Sequence, residues 1–265
     1  MHKPLNRQVH VWLLAGTGEG PLIAAALLQQ GLRVSVSVVT ESAGRVYGSL
    51  PLANLWVGPL AGAEAIGSRL QQAGIDQMVD ATHPFATQIT AQLQQASQRS
   101  GCPLLRFERP LELAPGSCVV DAVAEIPAEA LRGQRLLLAV GARFLGQLVP
   151  PLCSAGAEVY ARVLPTPQAL RQAVAAGLPD ARLALIHPGQ TAQPGVLERA
   201  LCRHWQIDAV LCRQSGGVTE RCWHQVTDQL SLPLWLLRRP DPPSSLELVH
   251  SVEDLLARIA PHPLA

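Results

Sequence analysis

The sequence predicts an α/β protein built on mostly parallel sheets, and three features carry that expectation. The apolar runs are short, most are followed by a stretch with helical spacing, and the alternation breaks once near the middle of the chain before it restarts. This is the rhythm of strand, crossover helix and parallel strand.

Val9 to Leu14 reads as a buried strand, Glu19 to Gln30 as a helix and Val34 to Val39 as the next strand, which completes one β-α-β unit. A strand near Leu55-Trp56-Val57, a helix from Ala63 to Gln72, a strand from Gln77 to Asp80, a helix from Pro84 to Arg99 and a strand from Pro103 to Phe107 continue the pattern. These runs have the length of strands buried on both faces. Between Glu108 and Ser117 the chain turns rich in proline, glycine and acidic residues. A boundary belongs there, with lobes at 1–112 and 113–265. The second lobe offers strands at Arg135 to Val140, Ala157 to Val163, Arg182 to Ile186, Ala209 to Cys212 and Pro233 to Leu237, and a last helix from Val252 to Ile259. Two Rossmann-like lobes with an interlobe cleft are the simplest arrangement, and a single larger sheet is the alternative. Two pairs of dipeptides, His83-Pro84 with His187-Pro188 and Arg109-Pro110 with Arg239-Pro240, hint at internal symmetry. Proline just past a strand is ordinary punctuation, so they do not establish it.

Composition narrows the function. A net charge of +1 argues against nucleic acid as a partner, because neutralising a phosphate track takes a basic excess. No stretch approaches the roughly 18 apolar residues of a membrane span. Small-molecule chemistry is the default. Lys3 is the only lysine among 21 basic side chains, which disfavours Schiff-base and Walker-type chemistry, since both need a lysine inside the fold. Arginine keeps its charge when desolvated and grips carboxylate or phosphate with paired hydrogen bonds, although a compositional bias would also produce this excess. The six cysteines, at 102, 118, 153, 202, 212 and 222, show no zinc-ligand spacing, so reduced thiols and no metal are expected. The polar start, which leads directly into a strand, predicts a cytoplasmic protein, and a monomer is compatible with the sequence.

Several segments fall where a parallel sheet binds ligands, at the carboxyl ends of its strands. Gly16-Thr17-Gly18-Glu19-Gly20-Pro21 follows the first strand and opens a helix, an arrangement suited to a pyrophosphate. Its match to G-x-G-x-x-G is partial, because Pro21 stands at the third position, and a plain connecting turn would look the same. After the second strand come Thr40-Glu41-Ser42-Ala43-Gly44-Arg45. Glu41 suits the ribose hydroxyls of NAD, whereas Arg45 with Ser42 suits the 2′-phosphate of NADP, and the fixed positive charge favours NADP. Asp80-Ala81-Thr82-His83-Pro84-Phe85-Ala86 follows the fourth strand. There His83 is a candidate proton donor, the competing reading being that Thr82 or His83 caps the helix that Pro84 begins. In the second lobe Arg143, Arg162 and Arg213 with Ser215-Gly216-Gly217 stand at strand ends and would suit a ligand with several carboxylates.

Taken together, Gly16-Thr17-Gly18-Glu19, Ser42-Ala43-Gly44-Arg45, Asp80-Ala81-Thr82-His83-Pro84-Phe85-Ala86 and Arg106-Phe107-Glu108-Arg109-Pro110 make the chain resemble the precorrin-6A reductases of cobalamin biosynthesis. The resemblance continues more loosely through Gly141-Ala142-Arg143, Ser215-Gly216-Gly217 and Leu237-Arg238-Arg239-Pro240. It implies an NADPH-dependent reduction of one double bond in precorrin-6A, or its cobalt counterpart, to precorrin-6B. Under it, Gly16, Thr17, Gly18, Glu19, Ser42, Gly44, Arg45 and Thr82 would bind the cofactor and His83 would supply a proton. Arg106, Arg109, Arg143, Arg162, Arg213, Ser215, Gly216 and Gly217 would bind the tetrapyrrole. The chain departs from its relatives at Arg213-Gln214 and at His187-Pro188-Gly189, which bears on the second lobe more than on the cofactor site. A non-catalytic nucleotide-binding regulator or scaffold is the alternative, since fold alone separates neither reading.

Overall fold

The computed structural model describes residues 8–111, 116–187 and 194–259. The chain divides into two compact units, one of residues up to 110 and from 240 onward, the other of residues 111–239.

In the first unit, β1 (His10–Ala15), α1 (Gly20–Gln29), β2 (Arg33–Val38) and the single turn α2 (Glu41–Gly44) are followed by β3 (Asn54–Val57), α3 (Gly62–Ala73), β4 (Gln77–Ala81), α4 (Thr87–Ser100) and β5 (Leu104–Phe107). The second unit contains β6 (Ser117–Val120), β7 (Arg135–Ala139), α5 (Leu145–Ser154), β8 (Glu158–Val163), α6 (Pro167–Ala175), β9 (Leu183–Leu185), α7 (Val196–Trp205), β10 (Ala209–Arg213), α8 (Val218–Leu230) and β11 (Leu234–Leu237). The chain then returns to the first unit with β12 (Glu247–Val249) and α9 (Val252–Ile259).

Among the described residues every strand pair is parallel, in two six-stranded sheets ordered β12-β5-β4-β1-β2-β3 and β6-β11-β10-β7-β8-β9. The expected α/β class with parallel sheets is therefore what the chain adopts, and two sheets replace the single larger one. The first strand shows why. Val11, Leu13 and Ala15 belong to a cluster with Ile23, Leu27 and Leu255 on one face, while Trp12 and Leu14 pack with Ile66 and Leu93 on the other. A strand apolar at every position from Val11 to Ala15 needs cover on both faces, which crossover helices supply. The polar His10 in this strand is satisfied in place, with its ring nitrogens 3.0 Å from the Ala73 carbonyl and 2.8 Å from Ser35 Oγ.

The two sheets have the same strand order, with β7 to β11 standing where β1 to β5 stand. The sixth strands are exchanged: β5 leads into β6, the edge of the other sheet, and β11 leads into β12, the edge of the first. The expectation that everything after 112 belongs to a second lobe is corrected here, because the C-terminal segment pairs with β5 and buries Val249 and Leu255 in the first core. β6 and β12 are strands of four and three residues, too short for their periodicity to announce them. The topology also sorts the dipeptide pairs. Arg109-Pro110 and Arg239-Pro240 follow the corresponding strands β5 and β11, whereas His83 follows β4 and His187 follows β9, which do not correspond; Pro188 lies outside the described residues.

All six cysteines are free, with Cys118 and Cys153 exposed and Cys102, Cys202 and Cys212 buried. Burial pushes the thiols of Cys102 up to about 11 and of Cys202 to about 12. Among the described residues no helix is long and apolar enough to cross a membrane.

Candidate functional site

In the first sheet β1 lies between β2 and β4, so the chain order reverses there, between the loops that follow β1 and β4. Such a switch point is where open parallel sheets bind ligands. The two loops are in close contact at their base. A Cβ on Gly16 would stand 3.3 Å from His83 N and from Thr82 Cα, so a side chain there would have to push the loop after β4 back by a few tenths of an ångström. Thr17 Oγ1 donates to the Ala81 carbonyl at 3.3 Å. Further along the loop, Gly18 is exposed and has open space where a Cβ would stand, leaving its backbone accessible to an anion at the start of α1. Gly20 performs the packing expected of a third glycine, since a Cβ there would collide with the Tyr47 hydroxyl and come within 3.0 Å of Ala15 Cβ. Glu19, expected to face a pyrophosphate, is paired with Arg109 at 3.5 Å. That pairing offsets an acid beside an anion site and also commits Arg109.

Tyr47 is buried, and burial pushes its hydroxyl up to about 12. It seats the segment after β2 against α1. On that segment Thr40 caps α2 by accepting from Ala43 N at 3.3 Å, and Ser42 and Arg45 are exposed at the carboxyl end of β2. Gly44 is buried, and a Cβ there would lie at ordinary contact distance, 3.4 Å from Val57 and 3.6 Å from Leu55.

The loop after β4 is shaped from beneath by a buried network. Asp80 is fully buried and accepts from Thr82 N at 3.0 Å, Thr82 Oγ1 at 2.7 Å and Thr90 Oγ1 at 2.7 Å. Arg106 lies 2.9 Å from Asp80 and 3.0 Å from Glu108, and donates to Thr82 Oγ1 at 3.1 Å. Burial by itself would lower the pKa of Arg106, but the two carboxylates carry it above its usual value. This corrects the expectation for Arg106: at 2% exposure it is held inside the protein and orients Thr82. His83 Nδ1 accepts the backbone N–H of Phe85 at 3.2 Å, and Ala86 N donates to the His83 carbonyl at 2.7 Å. The chain thus turns through 83–86 and α4 starts at Thr87, three residues later than expected. An N–H is an unambiguous donor, so in the neutral ring Nδ1 carries the lone pair and Nε2 the proton.

The second sheet has its own switch point between β7 and β10. Gly141 (φ 85°) and the turn Ala142–Phe144 follow β7, and Gln214 to Gly217 follow β10. The Arg213 guanidinium lies 5.1 Å from the Phe144 ring, a cation–π distance. Arg143 is exposed beside it, and burial together with the Arg143 charge lowers Arg213 to about 10. The Ser215-Gly216 backbone, expected to receive a ligand, already receives Glu220, whose buried carboxylate accepts from both N–H groups. Gly217 is the N-cap residue of α8. Arg162 is held apart from this group: it is buried and paired with Glu198 at 3.2 Å, and burial outweighs that single carboxylate to lower its pKa.

Asp80, Thr90, Glu108 and Glu220 are absent from the candidates read from sequence. Asp80 carries a signal, as an acid at the end of an otherwise apolar strand, and so does Glu220, as an acid at the third position of a helix, from which it reaches back to the N–H groups of Ser215 and Gly216 ahead of the N-cap. Thr90 and Glu108 carry none, because their role depends on Arg106 reaching them.

Comparison with known proteins gives a consistent result. The family model for precorrin-6x reductase CbiJ/CobK matches residues 10–260. A cobalt-precorrin-6A reductase of Synechocystis sp. is 36% identical over 236 residues, covering 87% of this chain and 88% of that protein. A precorrin-6A reductase of Rhodococcus erythropolis is 30% identical over 261 residues, covering 93% and 96%. The solved structure of a CobK precorrin-6A reductase superposes with a TM-score of 0.74 at 24% identity over 96% of each chain, which supports the fold.

Proposed function

Because this chain belongs to the precorrin-6x reductase CbiJ/CobK family, we propose that it reduces one macrocycle double bond of precorrin-6A, or of cobalt-precorrin-6A, to the 6B product with NADPH. The observation that carries this reading is the seating of Gly16 under Thr82 and His83, which puts a helix N-terminus and a titratable side chain at one switch point. NADPH, when bound, supplies the hydride, so the protein's part is placement and proton management.

Gly16, Thr17 and Gly18 would hold the pyrophosphate through backbone N–H groups, with Glu19 restrained by Arg109. Ser42 and Arg45 would take the 2′-phosphate, in a segment seated by Tyr47 against Gly20 at the start of α1. Thr82, fixed by Asp80 and Arg106, would border the nicotinamide, and His83 would deliver a proton from Nε2. The enzyme works on a soluble tetrapyrrole in the cytoplasm.

A titration with NADPH and NADH side by side, followed by nicotinamide fluorescence, tests the reading. The unaltered protein should prefer NADPH by about ten-fold, or 1.4 kcal/mol, and Arg45→Ala should erase the preference. Addition of precorrin-6A or its cobalt form should then consume NADPH, with a much lower rate in His83→Gln. Failure of both nucleotides to bind overturns the proposal.

A further inference from the structure

Four strands of the first sheet end on one row of residues at the edge where parallel sheets bind ligands. β1 pairs with β4 at Ala15 and Ala81, β4 with β5 at Asp80 and Arg106, and β5 with β12 at Phe107 and Val249. The residues just past these strands therefore share a level: Gly16, Thr82, Glu108 and His250. With the cofactor placed as proposed, from Arg45 after β2 past Gly16 to Thr82, the side of β5 and β12 is left for the macrocycle. There the Glu108 side chain is buried and turned to Arg106, whereas His250 is exposed.

His250 is also held in a defined orientation. Its backbone N–H donates to Asp254 Oδ2 at 3.2 Å, and Asp254 N donates to Ser251 Oγ at 3.0 Å, a reciprocal arrangement that closes the entry to α9. Its ring Nδ1 lies 2.9 Å from the Glu108 carbonyl. A carbonyl only accepts, so in the neutral ring Nδ1 carries the proton and Nε2 presents its lone pair. His83, whose Nδ1 accepts from Phe85 N, has the opposite arrangement. An imidazole anchored through one nitrogen on a backbone carbonyl is the form in which histidine ligates a metal with the other. A carboxylate meets repulsion at that lone pair, whereas a transition-metal ion accepts it. Among the described residues no cluster of metal-ligating side chains forms a site of its own. None is needed for a metal that arrives inside a macrocycle, because the ring nitrogens already hold it and only an axial position is open.

We propose that His250 ligates, through Nε2, the cobalt of a cobalt-bearing tetrapyrrole, and that the chain thereby selects this substrate over the metal-free form. The proposal rests on the reductase reading, which by itself admits both forms. The bond is dative: the Nε2 lone pair takes an axial position on cobalt in place of water, and neither an electron nor a proton changes hands.

Uroporphyrin and its cobalt(II) derivative, handled without oxygen, serve as probes with the full chain. The cobalt porphyrin should bind about ten-fold more tightly than the metal-free one, and its electron paramagnetic resonance spectrum should show the splitting of a single axial nitrogen. His250→Ala and His250→Gln should both lose this splitting and lower the affinity for the cobalt porphyrin to that for the metal-free one, which itself should not change. His204→Ala, at an exposed histidine in the last turn of α7, should keep the splitting. Equal affinities without a nitrogen splitting, a splitting that survives in the His250 variants, or an equal loss of affinity for both porphyrins in those variants overturns the assignment. NADPH binding, measured on the same samples, separates these outcomes from failure of the reductase reading, which would abolish nucleotide binding in the unaltered chain as well.

Discussion

Asp80 shows how much of a site can rest on a residue that never meets the ligand. Its carboxylate fixes Thr82 through both the backbone and the hydroxyl and faces the Arg106 guanidinium. Asp80→Ala would leave Arg106 buried with a single carboxylate, and breaking a buried pair from one side costs about 3–5 kcal/mol. Urea unfolding should show a loss in that range, and a change below about 1 kcal/mol would mean that the network does not hold the loop. The same logic, applied to protons, makes His10 a pH sensor of stability. Its pKa lies below the usual 6.5, burial being the main cause and Arg33 the next. The unfolded chain therefore binds a proton more readily than the folded one, and stability contributed above pH 6.5 declines as pH falls below it. Unfolding curves at mildly acid and neutral pH should show this decline, and a neutral Asn in place of His10 should remove that part of it.

At the scale of elements, the entry to α1 is set by contact. Gly20 opens the helix against Ala15 at the end of β1 and against Tyr47 from the segment after β2. Gly20→Ala should cost about 1–3 kcal/mol through overpacking, although alanine is the better helix former. Tyr47→Phe removes the hydroxyl that the new methyl would strike, so the double variant should recover part of the loss in a thermal melt. Additive losses would place the strain elsewhere. A start to α4 at Thr87 instead of Pro84 has a related cause. Proline suits a first helical turn, but His83 uses its ring and its carbonyl to fold residues 83–86 into a turn.

The pairing of β12 with β5 makes the first unit depend on a segment that follows the whole of the second unit in the chain. A chain ending at Pro110 lacks β12 and α9, leaving β5 as an open edge and removing Val249, Leu255 and Ile259 from the first core. Such a fragment should aggregate or unfold readily. Fusing residues 240–259 to it through a flexible linker should restore a cooperative melt, and equal stability of the two fragments would show that β12 contributes nothing.

The α/β class, ten of the twelve strands among the described residues and the loops that carry candidate chemistry were legible in the sequence, because each rests on a local pattern: apolar runs, helical spacing, and glycine or proline at strand ends. The two remaining strands were not, since an edge of three or four residues is recognised only by the strand it pairs with. The site divides in the same way. Gly16, Thr82, His83 and Arg45 could be placed by position after a strand, but the separation of Arg106 and Arg162, each buried with a carboxylate, from Arg143 at the surface could not. Every arginine carries the same charge in the sequence. What differs is desolvation and the number of carboxylates within reach, and both are set by residues distant in the chain, so only the tertiary structure decides which cations remain to meet a ligand.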